Sequence, residues 1–170
     1  MAAKSNPFII SRTVSAPREL VWQAYTDPEH LKRWFGPKGF TMLDYSMDFR
    51  PGGVFHYCMR GPDGSEMWGK WVFHEIVKPE KLVNTTSFSD AQGGVTRHPM
   101  APTWPLETMG TVTFTEQDGK TNIRLEWVAI NASEIEQQTF DASHASMNMG
   151  WSGTFEQLEA FLAQEMKGQG

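Results

Sequence analysis

Between Thr41 and Ala129 the chain runs through six segments of alternating apolar and polar residues, and only one long helical pattern follows to cover them. Period-two alternation puts successive side chains on opposite faces of a sheet, so each segment offers one apolar face for burial. The segments are Thr41–Phe49, Val54–Arg60, Met67–Val77, Lys81–Ser89, Glu107–Gln117 and Thr121–Ala129. Pro51-Gly52-Gly53, Pro62-Asp63-Gly64 and Pro79 punctuate the first four. Asp118-Gly119 marks a tight hairpin between the last two. Asp90–Pro105, with Gly93-Gly94 and three prolines, reads as a long irregular loop.

A strand, Phe8–Val14, and two short helices, Arg18–Thr26 and Glu29–Trp34, precede these segments, the helices divided by Asp27-Pro28. Ser133 with Glu136 three residues on is a capping-box pattern. From there Phe140, His144, Met147, Trp151, Phe155, Leu158 and Phe161–Leu162 recur at helical spacing, with room for a break at Asp141–Ser143. Strand parity puts Phe55, Tyr57 and Met59 on one face, and likewise Trp71 with Phe73, Val112 with Phe114, and Ile123, Leu125 with Trp127. One helix covers so broad a sheet only if the sheet curls around it. The expected architecture is therefore α+β, a curved antiparallel sheet on a long C-terminal helix, enclosing either a solid core or a hollow. Trp34, Tyr57, Trp71, Phe73, Trp104, Trp127 and Trp151 are more aromatic bulk than one helix and one sheet need for packing, which favours the hollow.

The bulk numbers exclude several classes. A chain of 170 residues suits a single domain, 1–170. A net charge of −5 without a basic cluster argues against nucleic acid. The single cysteine, Cys58, rules out an internal disulfide and reads as a small inert residue. No run of about 18 apolar residues occurs, so no membrane insertion is expected, and the chain reads as cytoplasmic. The sequons at Asn84 and Asn131 are then chance matches.

Motifs for cofactors and chemistry are weak. Gly64 to Gly69-Lys70 has phosphate-loop spacing, but Trp71 stands where Ser or Thr must meet magnesium, and the string lies between strands. Histidines 30, 56, 74, 98 and 144 form no ligand-spaced pair, so no metal and no cofactor is implied. Gly150-Trp151-Ser152-Gly153 sits inside a helix and is no nucleophile elbow. Arg12 shares the parity of Phe8, Ile10 and Val14 and needs a carboxylate partner if buried, Glu107 or Glu126. Gly150 and Gly153 weaken the helix, which makes sense if the sheet or a ligand approaches its backbone there. His144, on the apolar stripe, is either a pocket's polar handle or an imidazole satisfied at the pocket mouth.

The order of elements and the strings "RTVSAPRELVWQAYTDPEHLKRWFGPKGFT" (12–41), "DFRPGGVFHYCMRGPDG" (48–64), "HEIVKPEKLV" (74–83), "TVTFTEQDGKTNIRLEW" (111–127) and "MGWSGTFEQLEAFL" (149–162) resemble the SRPBCC, or START-like, superfamily. The similarity is to its branch named after the activator of the heat-shock-protein-90 ATPase. The resemblance implies a helix-grip fold with a pocket for a hydrophobic or aromatic small molecule. About seven residues precede the first strand, so the extra domain of the eponymous co-chaperone is not expected here.

The expected function is binding of such a ligand between the sheet and the C-terminal helix. The candidate contacts from the sheet are Phe55, Tyr57, Met59, Trp71, Phe73, Phe114 and Trp127, with Trp34 beside them and His144, Met147 and Trp151 from the helix. His144 and Tyr57 are the orienting groups. One alternative is a cyclase-, aromatase- or hydrolase-like enzyme using His144 as acid or base. Another is a chaperone-interacting module, which needs an exposed docking patch. The expected state is a monomer or homodimer.

Overall fold

The computed structural model describes residues 7–36, 39–98 and 101–169. Strand β1 (Phe8–Val14) is followed by α1 (Arg18–Thr26) and α2 (Pro28–Leu31), then β2 (Thr41–Met47), β3 (Val54–Arg60), β4 (Glu66–Val77) and β5 (Lys81–Ser89). Next come β6 (Val95–Thr96), β7 (Glu107–Gln117), β8 (Lys120–Ile130), α3 (Glu134–Ala142) and α4 (His144–Gln169). All strand pairs are antiparallel, in the order β1-β8-β7-β5-β4-β3-β2, with β6 added beside β5. The expected α+β arrangement is present: a curved, open sheet holding a long C-terminal helix.

Local chemistry explains where the boundaries differ from the sequence reading. The Asp27 side chain accepts the Glu29 amide and Pro28 opens α2, as a capped short helix requires. That helix stops at Leu31 instead of Trp34. Trp34 instead donates its indole N–H to Ala24 O at 3.0 Å, which pulls the following segment onto α1. The loop read between Asp90 and Pro105 contains an extra strand, where Ser89 pairs with Val95 and Phe88 with Thr96. Asp118 and Gly119 both have positive φ, 55° and 76°, the mirror-image turn that suits the twist of a two-residue hairpin.

Register confirms the inward parity. Phe55 faces Trp71, Val112 faces Leu125 and Phe114 faces Ile123. Against this face pack Trp22 and Tyr25 of α1, edge-on to Phe114 with centroids 5.7 and 5.3 Å away. Phe155, Leu158, Phe161 and Leu162 of α4 are buried in the same core. Each such side chain contributes about 1.5–3 kcal/mol by leaving water.

The helical stripe does divide at the break allowed for near Asp141–Ser143, giving two helices. Ser133 and Glu136 make both hydrogen bonds of the capping box at the start of α3. Ser143, with φ −97° and ψ 3°, ends α3 and separates it from α4. Arg12 does face inward, but its partner is neither Glu107 nor Glu126. It pairs with Glu159 of α4 at 2.6 Å and lies 6.0 Å from the Phe155 ring centroid. Glu126 has the opposite parity, pairing with Ile9 in the ladder and with Arg124 by charge.

Candidate functional site

A hollow of about 320 Å³ lies under the first half of α4, at the small end of the range for ligand pockets. The sheet contributes the late part of β3 (Tyr57, Met59), the early part of β4 (Met67, Trp68, Gly69) and the late part of β5 (Thr86, Ser87, Phe88). Thr108 lies at the start of β7, one residue in, and Trp127 lies near the end of β8. In an antiparallel sheet these positions converge on one end. Met147, Gly150, Trp151 and Thr154 of α4 close the hollow from above. Phe35, Gly36 and Phe40 wall one side, and Trp104 another. Among the described residues no lining side chain carries a charge, and the only one that titrates is Tyr57.

Two glycines within strands shape the wall. Gly69 pairs directly with Tyr57, and Gly110 with Trp127. A Cβ at Gly69 would stand 2.4 Å from the Tyr57 ring, and one at Gly110 would stand 2.6 Å from Trp127 Nε1. Each aromatic ring therefore lies flat across the bare backbone of its partner strand, the use of strand glycine that permits close approach. Tyr57 is fixed further by stacking on Phe55 (4.8 Å, 30°) and by the edge of Phe35 (5.6 Å). Trp127 meets Trp151 edge-on at 5.6 Å. Burial pushes the Tyr57 hydroxyl well above its ordinary pKa, so it stays protonated; the neighbouring Trp71 indole opposes this more weakly.

The side walls are tied down from the helices. Gly36 O accepts Thr154 Oγ1 at 3.2 Å and Gln157 Nε2 at 2.5 Å, and Gln157 also donates to Trp34 O at 3.2 Å. Trp104 packs on Phe140 with centroids 5.8 Å apart. Its loop is held by an Arg97–Glu136 ion pair, by Arg97 Nη1 donating to Trp104 O at 3.4 Å, and by Thr139 donating to Thr103 at 2.8 Å. Behind Phe88 the ring of His98 packs at 4.6 Å, and its partial burial lowers its pKa.

Of the expected contacts, Tyr57, Met59, Trp127, Met147 and Trp151 line the hollow. Trp34, Phe55, Trp71, Phe73 and Phe114 are packed in the adjoining core, where Phe55 and Trp71 brace Tyr57 from behind. His144 is not in the lining. It starts α4, with its ring 5.8 Å from Phe8 and 5.4 Å from Phe140, because the break at Ser143 ends the stripe on which the sequence places it. Nor does the sheet approach α4 at its glycines: a Cβ at Gly150 or Gly153 would meet nothing within 4 Å. Gly150 faces the hollow rather than a packed neighbour.

Phe35, Phe40, Phe88 and the threonines Thr86, Thr108 and Thr154 are lining residues that sequence reasoning missed. The legible signal was Gly69 and Gly110, each at an inward parity position within a strand.

Elsewhere the chemistry-bearing residues are dispersed. Among the described residues no three His, Cys, Asp or Glu side chains are grouped to hold a metal. Cys58 is buried on the face opposite Tyr57, with Sγ 3.7 Å from Glu66, and burial raises its pKa. Gly69 and Lys70, the phosphate-loop look-alike, lie in β4, and Lys70 donates to Gly93 O at 3.1 Å. No helix among the described residues is long and apolar enough to cross a membrane.

The model of the family described as activator of Hsp90 ATPase homolog 1-like protein matches residues 15–163. Solved structures with the same fold include a protein of Arthrobacter aurescens (26% identity, covering 95% of this chain and 91% of that one, TM-score 0.77). A protein of Mycobacterium smegmatis is 28% identical over 92% of this chain and 90% of its own, with a TM-score of 0.73. The AHSA1 protein of Silicibacter pomeroyi shares the fold at 17% identity over 94% of this chain and 99% of its own, with a TM-score of 0.73. No curated protein matches the sequence.

Proposed function

Because the chain belongs to the family of activator of Hsp90 ATPase homolog 1-like proteins, we propose that it binds a small apolar, ring-containing molecule in the hollow between the sheet end and α4. The observation that carries this reading is the wall itself: about 320 Å³ bounded by aromatic, methionine and threonine side chains, with no charge among the described lining residues. Apolar burial supplies the affinity and the few polar atoms set orientation. An acid–base enzyme gains no support from this wall, since His144 stands outside it and no carboxylate, imidazole or amine lies within it among the described residues. A chaperone-docking role needs a continuous patch. The exposed Leu43, Val77, Val95, Ile135 and Met149 are spread over β2, β4, β6, α3 and α4. We read the setting as cytoplasmic and the unit as a monomer or homodimer.

Native mass spectrometry of freshly purified protein, followed by thermal-shift measurement with aromatic and lipid-like compounds, tests the reading. The expected result is a co-purifying small molecule, or a rise in melting temperature that grows with ligand concentration, about 2.7 kcal/mol of stabilisation at a hundredfold excess over Kd. No retained mass together with no shift from any compound overturns it.

A further inference from the structure

The hydroxyl of Tyr57 belongs to the one titratable side chain among the described residues that line the hollow. The side chain is only 9% exposed and lines the hollow. A buried hydroxyl without an acceptor costs free energy, so its persistence needs a reason. The Trp71 ring stands edge-on to the phenol ring, with centroids 6.3 Å apart, and the hydroxyl hydrogen has no acceptor among the described residues. Nothing about the ring's position is loose, since Phe55 stacks on it, Phe35 meets its face and Gly69 leaves it just enough room. Trp127, the other ring laid over a glycine, likewise presents an indole N–H with no acceptor among the described residues.

The wall's threonine hydroxyls are engaged locally. Thr154 donates to Gly150 O at 2.9 Å, Thr108 reaches Thr86 O at 3.5 Å, and Thr86 Oγ1 receives Asn84 Nδ2 at 3.3 Å. What the hollow leaves unmatched are hydrogen-bond donors. A ligand that satisfies them must accept. A carboxylate accepts, but here it would lose its water with no cation among the described wall residues to meet it.

We infer that the hollow is built for an uncharged ring compound bearing a carbonyl-type oxygen, which accepts the Tyr57 O–H. The inference rests on the proposed binding role and narrows it. Bulk apolar fit would select ring compounds of any substitution, whereas a fixed, braced donor discriminates by hydrogen bonding, the stronger source of selectivity.

Three probes of similar shape test it: 2-acetylnaphthalene, its hydrocarbon counterpart 2-isopropenylnaphthalene, and 2-naphthoate. Dissociation constants are measured by calorimetry or tryptophan fluorescence on the wild-type protein and on Tyr57→Phe, with circular dichroism to confirm folding. The expected result is that the ketone-to-hydrocarbon affinity ratio falls about fivefold in Tyr57→Phe. Naphthoate is expected to bind the wild type at least about tenfold more weakly than the ketone. A ratio that moves less than about twofold, or naphthoate binding as tightly as the ketone, overturns the inference while leaving apolar binding intact. Failure of all three probes to bind the wild type overturns the binding role as well. Should Tyr57→Phe fold poorly, the naphthoate comparison on the wild type decides alone.

Discussion

The same residue type has opposite meanings at different places in this chain. Gly69 and Gly110 sit beneath rings, where an added methyl would overlap Tyr57 or Trp127. Gly150 sits in a helix with nothing within 4 Å of its missing Cβ. Replacing Gly150 by alanine is therefore expected to stabilise the protein by about 0.5–1 kcal/mol, the ordinary helix-propensity difference. Gly69→Ala and Gly110→Ala are expected to destabilise by about 1–3 kcal/mol, because Tyr57 and Trp127 are wedged and must move against packed neighbours. Urea unfolding of the three variants reads both signs. Cys58 and His56 show the complementary lesson. His56 stacks on Trp68 at 4.7 Å and its Nε2 lies 2.9 Å from Ser89 Oγ, so a reactive-looking residue is accounted for by local packing on the outer face.

At the scale of elements, α4 does two different jobs along its length. Its later part, through Phe155, Leu158, Phe161 and Leu162, fills the core, and its earlier part, through Met147, Gly150, Trp151 and Thr154, roofs the hollow. α3 serves the hollow indirectly, since Glu136 both caps its own helix and holds Arg97 of the loop that carries Trp104. The Arg97 guanidinium, followed by the Ser133 amide, keeps the Glu136 carboxyl below its usual 4.5. A carboxyl with a lowered folded-state pKa adds stability that is complete above that usual value and is lost as pH falls through the folded-state value. Glu136→Gln, which retains capping ability, is expected to cost about 0.5–1 kcal/mol at pH 7, since Arg97 is half exposed and screened. The difference from wild type should vanish as the pH drops below 4.5, and chemical denaturation across that range checks it. The length of α2 was not legible in the sequence, and the break at Ser143 was legible only as a place where one could fall. Both depend on tertiary anchors, the Trp34–Ala24 hydrogen bond and the packing of Phe140 and His144, rather than on propensity.

For the whole molecule, the sheet divides into a packed end and an open end. Phe55, Phe73, Phe114, Ile123 and Leu125 belong to the first, and Met59, Met67, Phe88 and Thr108 to the second. Local stability follows buried apolar contact, so the open end is the part that a ligand can order. Hydrogen exchange is expected to be slowest in β7, β5 and β4 without ligand. Addition of 2-acetylnaphthalene is expected to slow exchange most at residues 147–154 of α4 and 104–108, measured by mass spectrometry of peptic fragments.

The alternating strands, the glycine and proline turns and the capping box determined by themselves that a curved antiparallel sheet would hold a C-terminal helix. These are local signals: period, backbone permissiveness and side-chain-to-backbone hydrogen bonds act within a few residues. Five of the lining residues followed from strand and helix parity alone. Which inward residues fill the core and which face empty space was decided only by tertiary structure. Parity tells which face a side chain takes, but whether something packs against it depends on segments distant in the chain. The Trp34–Gly36 clamp to α4, the Arg97 tether of Trp104 and the ring-over-glycine pairs across β3–β4 and β7–β8 made that decision here.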